Sequence, residues 1–222
     1  MQYRQIFGTP IFKTKFQDHE KYKEKFLSFL NDPEVFKMNT RTKGLKFSHP
    51  NLHMEKVFEP IVDFINDSLS FAYQSLGFVP SYQLTGMWST RQPKGGNHHR
   101  HSHGNTLLAG VYYLDGENNT PGTNFYPMHH YNNIIIPAKL KVQPETAMKH
   151  SETTMFEEGT LVIFPGWQTH DTSPNRTNSV RTVLAFNSMP IGKTNSDPFD
   201  RFYYKEVDQS EMINYTVERF DV

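Results

Sequence analysis

Residues 97–114 read NHHRHSHGNTLLAGVYYL, a run that places four imidazoles directly in front of a β-branched and aromatic stretch, Thr106–Leu114. Such a stretch reads as a strand. In extended chain, side chains two apart point to the same side. Leu107, Ala109, Val111 and Tyr113 therefore share one face, and His101 and His103 can both reach a single ion, as can His99 and His101 in the alternative register. The plainer reading of the cluster is a solvated loop. Its position mid-chain between two expected strands, rather than at a terminus, favours a metal site.

Outward from this run the pattern repeats. Tyr82–Ser89, Asn133–Ile136, Thr153–Phe156, Thr160–Phe164, Ser179–Asn187 and Arg201–Val207 are short, β-branched or aromatic, and bounded by Gly, Pro, Asn or Asp. No helix-length periodic segment interrupts them. That pattern predicts an antiparallel sandwich or barrel of the jelly-roll kind rather than βαβ units.

Upstream, the periodicity predicts two helices. Asp18 to Leu30 has Asp18 as N-cap, puts Tyr22, Phe26, Phe29 and Leu30 on one face, and ends at Asn31-Asp32-Pro33. Asn51 to Leu76 carries Val57, Ile61, Phe64, Ile65 and Leu69 at helical spacing, with Pro60 marking a kink or a late start and Gly77 a stop. Thr40 to Pro50 reads as loop with one short strand. The expected organisation is one domain over residues 1–222, with helical support in 1–80, a jelly-roll core in 81–207 and a C-terminal tail in 208–222. The helices pack outside the sheet, where two copies of the chain could also pair.

A third imidazole, His170, follows the apolar strand Thr160–Phe164 in the segment FPGWQTH. Two ligands from one strand end and one from a distant strand close a facial metal site in a jelly roll. Imidazole suits Fe, Zn, Cu and Ni, so the ligand set alone does not name the metal. Trp88, His129 and Trp167 are candidate walls of an aromatic substrate pocket.

Arg181 lies in the strand that follows. Alternation puts Arg181, Val183, Ala185 and Asn187 on one face and Val180, Thr182, Leu184 and Phe186 on the other. A guanidinium pointing into a barrel needs an anionic partner, because a buried unpaired charge is very costly. Either an internal Asp or Glu pairs with it, or the strand end is open to water, or the partner is a bound dicarboxylate, which the planar fork fits bidentately. Tyr113 is either a core tyrosine or a donor to the same carboxylate.

Composition narrows the function class. Lys plus Arg and Asp plus Glu both number 23, so the formal charge is zero. A neutral chain has no long-range field to draw in nucleic acid or an anionic membrane, so neither is expected as a partner. The absence of cysteine excludes disulfides, zinc–thiolate sites, iron–sulfur clusters and cysteine nucleophiles. With no apolar leader and no run long enough to span a bilayer, the expected location is the cytoplasm.

In its ordered set of short segments, the chain resembles the 2-oxoglutarate- and Fe(II)-dependent oxygenases of the double-stranded β-helix (cupin-like) superfamily. It looks closest to a small group found in marine bacteria and phages; if the chain is phage-encoded, the cytoplasm is that of the host. The matching pieces are Ile6-Phe-Gly-Thr-Pro-Ile11, Met87-Trp88, His101-Ser-His103, Ala109-Gly-Val-Tyr-Tyr-Leu114, Gly159-Thr-Leu-Val-Ile-Phe-Pro165 leading to His170, and Arg181 through Asn187. Arg-His-Ser-His followed by Val-Tyr-Tyr-Leu is also similar to the prolyl-hydroxylase branch. The resemblance implies His101 and His170 as iron ligands, Arg181 as anchor of the 2-oxoglutarate carboxylate with Tyr113 and Asn187 beside it, and dioxygen as the second cosubstrate. It implies hydroxylation of a small molecule or an amino-acid side chain, with release of succinate and CO2.

His103 stands where that superfamily usually has an acidic ligand. Either it ligates, giving three neutral imidazoles, or it leaves an open position. Three-histidine iron sites are typical of cupin dioxygenases that use no 2-oxoglutarate. One competing reading is therefore such a dioxygenase, or a metal-dependent isomerase, and another is a non-enzymatic jelly-roll binding or structural module. The spacing of Arg181 favours 2-oxoglutarate.

Overall fold

The computed structural model describes residues 8–36, 44–79, 81–127 and 151–193, together with the backbone of 203–204. Eleven strands and two α-helices appear among them. The main sheet is antiparallel, in the order β1 (Phe12–Lys15), β7 (Thr160–Pro165), β4 (Leu108–Asp115), β9 (Arg181–Pro190), β3 (Tyr82–Gln92), β2 (Lys46–Phe47). A smaller sheet of β6 (Glu152–Phe156), β5 (Thr120–Phe125) and β8 (His170–Thr172) faces it, and β10 (Gly192–Lys193) pairs with β11 (Tyr203–Tyr204). Two facing antiparallel sheets with helices outside one of them form the expected jelly roll. The region upstream of residue 81 does more than supply helices, since β1 and β2 close the two edges of the main sheet.

Alternation along the central strands divides the interior into two cores. Leu108, Tyr112, Leu114, Leu161, Ile163, Leu184 and Phe186 point toward the helices. Ala109, Tyr113, Phe125, Phe156, Val162, Phe164 and Val183 fill the space between the sheets. Gly110, in the middle of β4, leaves room for an aromatic ring, for a Cβ there would lie 2.2 Å from the Phe186 ring.

Helix α1 spans His19–Leu30 and buries the expected face through Phe26 and Leu30. Asp18 occupies the cap position but its side chain makes no capping hydrogen bond; it lies 3.8 Å from Lys21 instead. The second helix is shorter than its periodicity predicts. Residues 52–58 form two 3-10 turns, and α2 runs only over Glu59–Ser75. Pro60 explains the late start, because its missing N–H and fixed φ suit the first turn and not a helix interior. At the other end, Gly77 at φ +81° lets its own N–H bond Gln74 O and the Phe78 N–H bond Tyr73 O, both at 2.9 Å. This paired C-terminal closure is sealed by contact of the Phe78 and Tyr73 rings.

Strands β1, β5 and β8 were not legible as strands. In β5, Pro121 and Gly122 read as breakers, and the register does shift between Pro121 and Asn124. A side chain at 122 would lie 2.8 Å from both the Tyr113 hydroxyl and Thr154 O, so the strand needs glycine there. The expected strand at 133–136 lies outside the described residues, as does His129. Of 201–207, only 203–204 are described, and they are paired with β10.

Candidate metal centre

The histidine-rich segment folds back along the end of β8. His101 N–H donates to His170 O and His170 N–H to His101 O, both at 2.9 Å, and His103 N–H donates to Gly166 O at 2.8 Å. The first two bonds make His101 and His170 a directly opposed antiparallel pair, whose side chains leave the same face. His103, two residues along, joins them. Ring centroids of His101 and His170 are 4.3 Å apart, those of His103 and His170 5.1 Å. One ring nitrogen from each of the three residues lies within 4.8 Å of the others.

Main-chain carbonyls decide which nitrogen faces inward. His101 Nδ1 lies 2.7 Å from His99 O, and His170 Nδ1 lies 2.8 Å from Gln168 O. A carbonyl only accepts, so each Nδ1 carries the proton and each Nε2 keeps its lone pair. His103 Nε2 and His170 Nε2 are 3.3 Å apart. Two nitrogens about 2.1 Å from one ion at a right angle would be about 3 Å apart, so the pair is close to ligand spacing. Burial keeps the rings neutral. It pushes His103 and His170 down to about 4 and His98 to about 3, and lowers His101 as well, with the neighbouring imidazoles adding to each effect.

Beside the rings a narrow cavity enters the inter-sheet core. Val111, Phe164, Val183 and Ala185 make its apolar wall, and Thr90, Gln92, Thr123 and Thr172 its polar one. Trp88 lines it next to His103, with ring centroids 6.4 Å apart. Trp167, by contrast, is 44% exposed on the turn after β7 and is not among the lining residues.

Arg181 and Tyr113 lie behind the cavity lining, both buried. Arg181 Nη1 donates to Gln92 Oε1 at 3.2 Å and to Ser173 O at 3.0 Å. Among the described residues, no carboxylate forms an ion pair with it, and burial lowers its pKa from the ordinary value. The Tyr113 hydroxyl lies 3.0 Å from Thr123 Oγ1 and 2.7 Å from Thr154 Oγ1, and burial raises its pKa. Asn187 is half-buried on the β9 face that carries Ala185, outside the cavity lining, with its Oδ1 buried and without a hydrogen bond in the described structure.

Gln92, Thr123, Thr172 and His98 were not singled out from the sequence. Gln92 was within reach of the same alternation rule, since Trp88, Thr90 and Gln92 follow one another on one face of β3. Its Nε2 donates to Thr172 Oγ1 at 3.2 Å, so it joins Arg181 to β8. Thr123 and Thr172 had no signal, because each lies in a strand that was not legible. His98 lines the cavity with its ring centroid 4.1 Å from that of His101.

Residues 86–187 match the family model described as "Putative 2OG-Fe(II) oxygenase". None of the curated proteins matches the chain in sequence. Among solved structures it is similar to HygX from Streptomyces hygroscopicus, crystallised with nickel, 2-oxoglutarate and hygromycin B, at 14% identity and TM-score 0.57 over 92% of this chain and 95% of that one. It is likewise similar to the α-ketoglutarate-dependent epimerase SnoN from nogalamycin biosynthesis, at 11% identity and TM-score 0.58, over 90% and 92%. A Pseudomonas putida prolyl-4-hydroxylase aligns at 12% identity and TM-score 0.58, over 83% of this chain and 94% of that one. The family match runs from Gly86 in β3 to Asn187 in β9 and takes in the three converging histidines and Arg181; over that stretch the chain is similar to the 2-oxoglutarate- and Fe(II)-dependent oxygenases, whose cofactor is Fe(II) and whose cosubstrates are 2-oxoglutarate and dioxygen.

Proposed function

We propose that the chain is a hydroxylase in which His101, His103 and His170 hold Fe(II) through Nε2 and Arg181 binds the far carboxylate of 2-oxoglutarate. The observation that carries this reading is a pairing on one cavity: three neutral imidazoles at its mouth, and behind its lining a buried guanidinium without a carboxylate among the described residues. The donor set fits the metal, because neutral imidazole is a good ligand for iron and the Nδ1 bonds fix the ligating tautomer. Fe(II), when bound, couples the oxidative decarboxylation of 2-oxoglutarate by dioxygen to oxidation of a substrate C–H bond.

The protein's own contribution is charge placement and exclusion of water. With His103 in place of an acidic ligand, the protein supplies no negative charge through these three residues, which leaves the ion a stronger attractor for a dianion. Gln92 Oε1 holds the place on Arg181 that a carboxylate oxygen would take, and Thr123 and Tyr113 offer hydroxyls on the same side. The walls of Val111, Phe164, Val183 and Ala185 keep the interior dry, which strengthens every charge interaction inside it. Trp88 is the wall that a substrate would meet beside the metal. The substrate class is a small molecule or an amino-acid side chain.

The test is to load the protein with Fe(II), then measure 2-oxoglutarate binding and succinate release in the presence of ascorbate. Binding together with slow succinate release is the expected result. Stoichiometric metal with neither would replace this reading by a three-histidine cupin dioxygenase or isomerase. No stoichiometric metal at all would leave a non-enzymatic jelly-roll module.

A further inference from the structure

A second group of ligand atoms lies at the opposite end of β4 and β7. His19 opens helix α1, Glu20 follows it, and Glu158 sits in the turn between β6 and β7. One ligand atom from each lies within 4.8 Å of the others. The His19 side chain is 5% exposed, yet its Nε2 has no hydrogen-bond partner among the described residues. That nitrogen is 3.6 Å from Glu158 Oε2 and 3.9 Å from Glu20 Oε1. An open cavity of about 350 Å³, lined by Lys15, Gln17, Asn118 and these three residues, meets the cluster.

We infer that His19, Glu20 and Glu158 form a second metal site, for a divalent ion of the zinc class. One imidazole and two carboxylates are a donor set that zinc, cobalt and nickel accept, whereas the nitrogen disfavours calcium and magnesium. The groups around the ligands are placed to orient them. His19 Nδ1 lies 2.6 Å from the Tyr112 hydroxyl, and in the tautomer that ligation requires it donates to that oxygen. Glu158 Oε1 accepts from Gly116 N and Lys23 Nζ, both at 2.9 Å, which aims Oε2 at His19. Gly159, at φ +79°, lets the turn close on the ring, since a Cβ there would lie 3.0 Å from His19 Cβ.

Lys23 Nζ is the competitor, at 2.8 Å from Glu158 Oε2. It also pairs with Asp115 at 2.8 Å, so an ion taking Oε2 leaves it Oε1 and Asp115 as partners. Lys15 and Glu157 also line the cavity, so Glu20, Glu158, Asp115 and Glu157 still outnumber the ammonium groups of Lys23 and Lys15, and the cluster carries net negative charge for a cation to neutralise. A bound ion would tie the start of α1 to the β6–β7 turn.

The full-length protein should be titrated with Co2+, following both its visible absorption and the heat of binding, in the wild type and in Glu20→Gln, His19→Gln and His101→Ala. Two equivalents are expected in the wild type. Glu20→Gln, at a side chain 87% exposed and therefore safe for folding, should weaken one of them by about tenfold or more and leave the other intact. His19→Gln should remove the same equivalent, and His101→Ala should remove the other. If Glu20→Gln and His19→Gln both take up as much Co2+ as the wild type and as tightly, the inference is overturned. It is equally overturned if the wild type binds a single equivalent that His101→Ala abolishes. A single equivalent lost in His19→Gln but kept in His101→Ala would support this site and overturn the histidine-triad reading.

Discussion

His101 and His170 exchange both of their main-chain hydrogen bonds, each N–H donating to the other's carbonyl at 2.9 Å. The ring geometry of the site therefore hangs on backbone pairing, and side-chain torsions only refine it. It follows that the three histidines can be changed one at a time without dissolving the scaffold.

His101→Ala and His170→Ala should each lower Fe(II) affinity more than about 100-fold while the far-ultraviolet circular dichroism stays native, since removing a ligand exceeds the effect of disturbing its support. His103→Asp should keep the metal, because a carboxylate is the acidic ligand that the wider superfamily has there. Calorimetric titration of Fe(II) under anaerobic conditions checks both. An inert His170→Ala would remove the triad from the function.

Arg181→Gln should weaken 2-oxoglutarate binding by about 100-fold, or about 2.7 kcal/mol, leaving Fe(II) affinity unchanged. Without cosubstrate, Arg181→Met should cost little stability or raise it, because a buried cation without a carboxylate partner is a burden on the fold. The two halves have separate measurements, 2-oxoglutarate titration and chemical denaturation. Unchanged binding in Arg181→Gln would send the cosubstrate elsewhere.

Acid should destabilise the metal-free protein through its buried imidazoles. His98, His103 and His170 titrate near 3, 4 and 4 in the folded chain and near 6.5 when unfolded. The unfolded state then binds more protons below pH 6.5, so this stability is fully present above that value and falls as the pH drops from about 6.5 toward 3. Denaturation midpoints measured across that window check it. Fe(II) should steepen the fall, because protons compete for the same nitrogens.

Gly166→Ala should damage fold and site together. A Cβ at 166 would lie 2.2 Å from Thr106 O, on the residue whose carbonyl holds His103 N. Relief of that clash moves the backbone, with an expected loss of about 1–3 kcal/mol and weaker metal binding. Gly110→Ala meets the Phe186 ring on the helix side instead and should lower thermal stability with less effect on metal affinity. Thermal melts with and without metal separate the two.

The long central strands were legible because period-two alternation is strong where both faces are buried, as in β9 with Arg181 and Val183 toward one core and Leu184 and Phe186 toward the other. Strands β1, β5 and β8 were not. β5 carries Pro121 and Gly122, and β8 spans only His170–Thr172, so pairing partners rather than local pattern make them strands. The same holds for Thr123 and Thr172 on the cavity wall.

By itself, then, the sequence determined the alternation, the stock of imidazoles and the strand face that Arg181 shares with Val183 and Ala185. Those properties follow from side-chain chemistry and a repeat of two residues. Only the tertiary structure decided that the His101–His103 register opposes His170, that carbonyls of His99 and Gln168 turn Nε2 inward, and that Gln92 stands on Arg181. The first and last of these are contacts between segments far apart in the chain, set by strand pairing that no local pattern encodes, whereas the two carbonyl contacts span only two residues each and depend on how the paired backbone turns the rings.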